Sequence, residues 1–212
     1  MIITIFGATT LVGKQTIDLA LAKEFTVKAF GRNIVSLIDR DLHSPQFEAL
    51  KGHVFDEAEV RDAIKGSDAI ISTLGNTINN ADNTRSLGIK NIIKQMQMLG
   101  VKRLIALGDI GTLYNKDQIL LIDAPEFAQD LYPAGPENLQ VYKYLQSSTL
   151  DWTFVCAPII LHQDTSDHYI TNIDYLPHPN VFEITAANLA HFMLTEVVAN
   201  KFVKHRVGIS NA

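Results

Sequence analysis

The sequence predicts an α/β protein built on a doubly wound parallel sheet. Three observations predict it. Short β-branched runs alternate with longer helical patterns along the chain's 212 residues. The runs are continuously apolar rather than alternating, as strands are when helices cover both faces of a sheet. The first run also feeds directly into a glycine-containing loop that opens a helix.

Taken in order, residues 2–6 read as a buried strand. Residues 12–23 read as a helix, with Val12, Thr16 and Ala20 at helical spacing and Ile17 paired with Leu21. A second strand is expected at 26–30 and a weaker third at 50–55, followed by a short helix at 58–65 that Gly66 stops. A strong strand at 69–74 leads to a long helix at 83–99 closed by Gly100. Strands at 103–107 and 152–156 flank a helix at 137–146, and a helix at 186–199 precedes a short last strand at 207–210. Strands joined by helices of this length imply right-handed crossovers. A single domain over 1–212 fits the length, and no repeat or linker divides it. Two stretches, 110–136 and 159–180, read as long irregular loops after strand ends, where open α/β sheets bind ligands.

Composition narrows the function. A net charge of −5 with no block of Lys and Arg argues against a nucleic-acid partner. Cys156 is the one cysteine, so no intrachain disulfide forms. Its apolar neighbours predict a buried, inert thiol, and a disulfide-free chain fits a cytoplasmic protein. No basic leader precedes the first strand, and no apolar run is long enough for a bilayer, so no membrane partner is expected.

The loop Gly7-Ala8-Thr9-Thr10-Leu11-Val12-Gly13 has the order that dinucleotide chemistry needs. Gly7 permits a tight turn, the helix start offers free N–H groups and a positive dipole end to a pyrophosphate, and Gly13 lets helix and strand pack closely. This is the signature of a Rossmann-type sheet. The phosphate-loop alternative fails, because five residues rather than four separate the glycines and Lys14 is followed by Gln15. The second strand ends in Gly31-Arg32-Asn33, where an NAD binder places a carboxylate for the ribose 2′-hydroxyl. A guanidinium there suits a 2′-phosphate, so NADP is expected ahead of NAD. Asp39 and Asp41 lie too far along to be the ribose acid.

With these residues in place, the sequence resembles the atypical short-chain dehydrogenases that include NmrA-like proteins and the biliverdin-IXβ and flavin reductases. The resemblance covers nearly the whole chain. It runs through the Gly7-Ala8-Thr9 loop, Arg32, Val54-Phe55-Asp56, the segment Asp68-Ala69-Ile70-Ile71-Ser72-Thr73-Leu74-Gly75, Gly100-Val101-Lys102-Arg103-Leu104-Ile105, and Leu150-Asp151-Trp152-Thr153-Phe154-Val155 before Pro158. It implies a cofactor site made of Gly7, Thr9, Thr10, Leu11, Val12, Gly13, Arg32, Asp56, Ser72, Thr73, Leu74, Gly75 and Pro158, with Asp56 by the adenine. Thr10 stands where the family usually has a middle glycine, and two outcomes are open: the β-branched residue weakens the backbone contact with the pyrophosphate, or its hydroxyl donates to a phosphate oxygen instead. Asp109 replaces the usual Ser or Thr at its strand end, and Cys156 replaces a frequent Arg.

No tyrosine has Lys four residues on, so the usual carbonyl-reducing dyad is absent. Asp109 is the candidate catalytic residue, as a buried proton donor, with a cap on the turn before Gly111 as the competing role. Tyr114 and Tyr132 are candidates to stack on an acceptor or to anchor packing. The run from His162 through Asp164 and Asp167 to His168 lacks a zinc signature and reads as a polar loop, so no metal is expected. His191 reads as a surface or half-buried residue of an amphipathic helix rather than a ligand. Two functions remain open. One is NADPH-dependent hydride transfer to a small planar acceptor such as a flavin or quinone, by a monomer or homodimer. The other is an NAD(P)-binding sensor without turnover that acts on a protein partner.

Overall fold

The apolar runs become the inner strands of one sheet in the computed structural model, which describes residues 1–34, 44–75, 83–127, 134–162 and 168–212. The strands are β1 (Ile2–Phe6), β2 (Thr26–Gly31), β3 (Phe47–Lys51), β4 (Ala69–Ser72), β5 (Arg103–Asp109), β6 (Asp151–Ala157), β7 (Ile159–Leu161), β8 (Tyr169–Ile173), β9 (Glu183–Thr185) and β10 (His205–Asn211). The helices are α1 (Leu11–Ala22), α2 (Glu57–Ile64), α3 (Thr84–Leu99), α4 (Gly135–Gln146) and α5 (Ala186–Ala199). Eight strands pair in the order β3-β2-β1-β4-β5-β6-β10-β8, and β7 pairs with β9 apart from them. All neighbours in the sheet are parallel except β8, which runs antiparallel to β10.

Winding reverses at β1. The chain moves outward to β2 and β3, then returns to β4 and proceeds the other way. That arrangement is the doubly wound, Rossmann-type sheet, and it opens a crevice at the C-terminal ends of β1 and β4. Each face has its own core. Ile3, Ile5, Ile71 and Val155 pack under α1 and α5, where Ile17, Leu189 and Met193 meet them. Phe6, Ile70, Leu104 and Phe154 pack under α2, α3 and α4, against Val60, Ile92 and Val141. The continuous burial of β4 and β5 follows, since both of their faces are covered.

Local chemistry sets the helix ends. Asp56 caps α2 by accepting from the Ala58 and Glu59 amides at 2.9 Å each. Thr185 caps α5 by accepting from the Asn188 amide. Gly66 and Gly100 follow α2 and α3 with left-handed φ of 78° and 74°. Among the described residues no helix is long and apolar enough to cross a membrane.

Three expectations need correction. The third strand starts three residues earlier than the apolar run at 50–55 suggests, because β3 pairs Phe47 with Val27 and ends before Gly52. The stretch 159–180 is not irregular: it contains β7 and β8, which are short, partly exposed strands without a strong apolar signal. The stretch 110–136 is broken by two short 3₁₀ turns, Ile110–Thr112 and Leu121–Asp123, and Pro136 already belongs to the first turn of α4.

At the N-terminal end of the sheet, opposite the crevice, a buried ion pair ties the layers together. Arg103 Nη2 on β5 meets Glu196 Oε1 on α5 at 2.7 Å, and the same oxygen accepts the Phe202 amide at 2.7 Å. Removing one partner of such a pair leaves the other charge buried and unmatched. Arg103→Met should therefore cost about 3 kcal/mol of stability in urea denaturation. An unchanged unfolding midpoint would refute that role.

Candidate dinucleotide-binding site

The crevice is shaped by a contact between backbones. Gly7 leaves β1 with φ of +79°, and a Cβ there would lie 2.7 Å from the Thr73 carbonyl carbon. Thr73 in turn donates its amide to Phe6 O at 2.9 Å, so the exits of β1 and β4 run side by side. A Cβ on Gly13 would lie 2.4 Å from Gly7 O, which fixes how closely α1 approaches the turn. Both glycines are thus required by close approach, and Gly7 also by its backbone angle.

Thr10 occupies the N-cap of α1 with φ of −69° and ψ of 163°, extended angles that a β-branched residue adopts without strain. Its hydroxyl is fully committed. Thr73 Oγ1 lies within hydrogen-bond reach of the carbonyls of Phe6 and Gly7, to which it can only donate. In the 3.0 Å contact between the two hydroxyls Thr10 is therefore the donor. Thr10 Oγ1 also accepts the Gly13 amide at 3.0 Å. The expected hydroxyl–phosphate contact is corrected accordingly: Thr10 caps the helix and braces the loop. The amides of Leu11 and Val12 are left without a partner among the described residues, at the positive end of α1.

Six of the expected residues, Gly7, Thr9, Thr10, Arg32, Leu74 and Gly75, line one cleft. Arg32 is exposed at the end of β2, with no hydrogen bond or ion pair among the described residues. Asp39 and Asp41 lie outside those residues. Ser72 and Thr73 are buried beneath the loop, and Pro158 is buried where β6 meets β7. Asp56 does not line the cleft, because its carboxylate holds the first amides of α2. Gly52, His53, Phe30 and Thr84 are also among its walls. The signal for Gly52 was its place at a strand end: a Cβ there would lie 2.5 Å from the Phe30 ring.

Beyond β4 the crevice meets the end of β5. Asp109 is 8% exposed, and both its oxygens are bonded inward. Oδ1 accepts the Gly111 amide at 3.0 Å and Oδ2 accepts Asn138 Nδ2. Burial raises its pKa above the ordinary carboxylate value, against the opposing charge of Arg85. The turn-capping role is thus present in the geometry. Cys156 is fully buried, which pushes its thiol up to about 12 and leaves it inert. Tyr114 packs over the Arg206 guanidinium at 4.2 Å and beside Tyr175, so it anchors packing. Tyr132 and residues 163–167 fall outside the described residues. His191 is half-buried, 3.1 Å from the Tyr169 hydroxyl.

A second hollow of about 690 Å³ lies between α2, α3 and α4, with Phe55, Leu87, Lys90 and Tyr144 in its walls. No strand residue and no part of the glycine loop reaches it. Lys94 there is paired with Glu57, and Lys90 lies over the Tyr144 ring.

Gly7→Ala should abolish dinucleotide binding, because its methyl group meets the Thr73 backbone. Gly66→Ala meets nothing within 4 Å. It should cost about 1 kcal/mol of stability for its left-handed backbone and leave binding intact. Calorimetric titration of both variants checks this, and equal affinities in the two would remove the glycine loop as the determinant.

Comparison with known proteins agrees with this geometry. The family described as NAD(P)H-binding matches residues 7–200. No curated protein matches the chain in sequence. Among solved structures, a protein from Bacteroides thetaiotaomicron assigned as an epimerase is 22% identical, covering 99% of this chain and 96% of its own, with a TM-score of 0.86. A protein from Streptococcus pneumoniae assigned as an NADH-flavin reductase is 20% identical over the whole of both chains, with a TM-score of 0.84. ChuY, an anaerobilin reductase from Escherichia coli O157:H7, is 20% identical, covers 100% of this chain and 97% of its own, and has a TM-score of 0.80. At these identities the structural likeness establishes the shared fold. With the family match spanning the glycine loop and six of the eight strands of the sheet, the chain belongs to the NAD(P)H-binding family.

Proposed function

We propose that the protein is an oxidoreductase that uses NADPH to reduce a small planar acceptor, a flavin or quinone in the first instance. The observation that carries the proposal is the cleft at the β1/β4 crevice. Gly7, packed on backbone, and the Arg32 guanidinium, unpaired among the described residues, stand together on its walls, and α1 begins next to Thr10 with two amides that have no partner among the described residues. The Leu11 and Val12 amides suit a pyrophosphate, which the dipole of α1 also favours. From there a dinucleotide extends both ways along the strand ends. One half reaches Arg32, Gly52 and His53, and the other reaches the ends of β4 and β5.

The cofactor supplies a hydride, and the protein supplies binding and alignment. Thr10 and Thr73 hold the loop rigid beneath the phosphates through their shared hydroxyl contact. Arg32 pairs with a 2′-phosphate, which is the reason to propose NADPH although one structural neighbour is named for NADH. No tyrosine–lysine dyad is available to protonate a carbonyl oxygen. Flavins and quinones suit such a site, because the chief demand is the alignment of two rings. Two structural neighbours are named as reductases, and the name of one, a flavin reductase, supports a flavin as acceptor. One observation favours a binding protein without turnover: both Asp109 oxygens are held inside the protein, so it offers no proton to the cleft.

NADPH consumption in the presence of FMN, riboflavin and a set of quinones distinguishes the two readings. Turnover above the rate of the free reagents is expected, and its absence with every acceptor favours the binding protein. Arg32→Ala should weaken NADPH binding by about 2 kcal/mol, roughly 30-fold, and leave NADH binding nearly unchanged. Equal losses for both cofactors would refute the 2′-phosphate assignment.

A further inference from the structure

A buried polar chain runs from the end of β5 through α4 to the first turn of α3. Asp109 Oδ2 accepts Asn138 Nδ2, and Asn138 Oδ1 accepts Arg85 Nη1. Asn138 is completely buried on α4, and its amide orientation is set by Asp109 on one side and Arg85 on the other. Arg85 lies in the first turn of α3, next to Thr84, which lines the cleft with Gly7 and Gly75. Its Nε is sealed from solvent without a partner, while its Nη2 is neither sealed nor bonded among the described residues. The partner that Nη1 does have is a neutral amide oxygen. Among the described residues no carboxylate lies within 4 Å of the guanidinium, and the adjacent Glu137 is engaged by the Ser86 amide.

This arrangement fixes a cation in direction while leaving its charge unmatched by direct contact. A solvated surface arginine would not need a buried amide and a buried carboxylate to orient it. A purely structural arginine would place a guanidinium nitrogen directly on an acid, as Arg103 does on Glu196 and Arg206 on Asp174. Resting on the oxidoreductase reading, we propose that Arg85 is an acceptor-recognition residue: its open edge binds an anionic oxygen, phosphate or carboxylate, on the planar acceptor. Asp109 and Asn138 are positioning residues that act through Arg85. A rigid guanidinium loses little freedom when it binds an oxyanion, so the preference for charged acceptors is set in advance.

Matched pairs of acceptors test this in equilibrium binding to the protein loaded with NADP⁺. FMN is compared with riboflavin for the phosphate, and anthraquinone-2-carboxylate with 2-(hydroxymethyl)anthraquinone for the carboxylate. At least one charged member should bind about tenfold or more tightly than its neutral partner. Arg85→Met should erase that difference and leave NADPH affinity unchanged, while Arg85→Lys retains part of it. Asn138→Ala should weaken the charged acceptor alone. Charged and neutral members binding alike in wild type would overturn the proposal without any variant. So would a loss of NADPH affinity in Arg85→Met, which would assign the residue to the cofactor. A charge preference without NADPH oxidation would uphold Arg85 as an anion site and contradict the oxidoreductase reading.

Discussion

The backbone of Gly7 lies against the backbone of Thr73, and the crevice exists because of that contact. A side chain at residue 7 would separate β1 from β4 at the point where the winding of the sheet reverses. The same contact brings the Thr73 hydroxyl under the turn, where it braces Thr10. Thr10 in turn caps α1 through the Gly13 amide, and the Leu11 and Val12 amides have no partner among the described residues. A steric requirement at one residue therefore becomes an electrostatic property of the cleft.

The two ends of the sheet use buried arginines differently. At the N-terminal end Arg103 rests directly on Glu196, with Thr153 and the Phe202 amide sharing the same carboxylate oxygen. Every strong partner is inside the protein, and the pair ties β5 to α5. At the C-terminal end the carboxylate and the guanidinium are held apart by the Asn138 amide. The first arrangement is closed, and the second leaves one guanidinium nitrogen without a partner among the described residues. This division matches the general habit of open α/β sheets, in which ligands meet the C-terminal strand ends.

The inner strands and the glycine loop were legible in the sequence because their signals are local. Residues 2–6 and 69–72 are apolar runs buried on both faces, and Gly7 and Gly13 flank a helix start. The short strands β7, β8 and β9 were not legible, since they are three to five residues long with little patterning of their own, and β7 and β8 are partly exposed. Arg32 was found from its position after a strand. The role of the Thr10 hydroxyl was missed because it depends on Thr73, 63 residues away. The Asp109–Asn138 and Asn138–Arg85 contacts span 29 and 53 residues, so only the carboxylate, placed at a strand end, drew notice from sequence.

The central claim is that the β1/β4 crevice holds a phosphorylated nicotinamide dinucleotide. Calorimetric titration of the unmodified protein with NADPH and NADH side by side tests it most directly. One site per chain, with NADPH bound about 30-fold more tightly than NADH, is the predicted result. Tighter binding of NADH would contradict the role given to Arg32, and no binding of either would contradict the site itself.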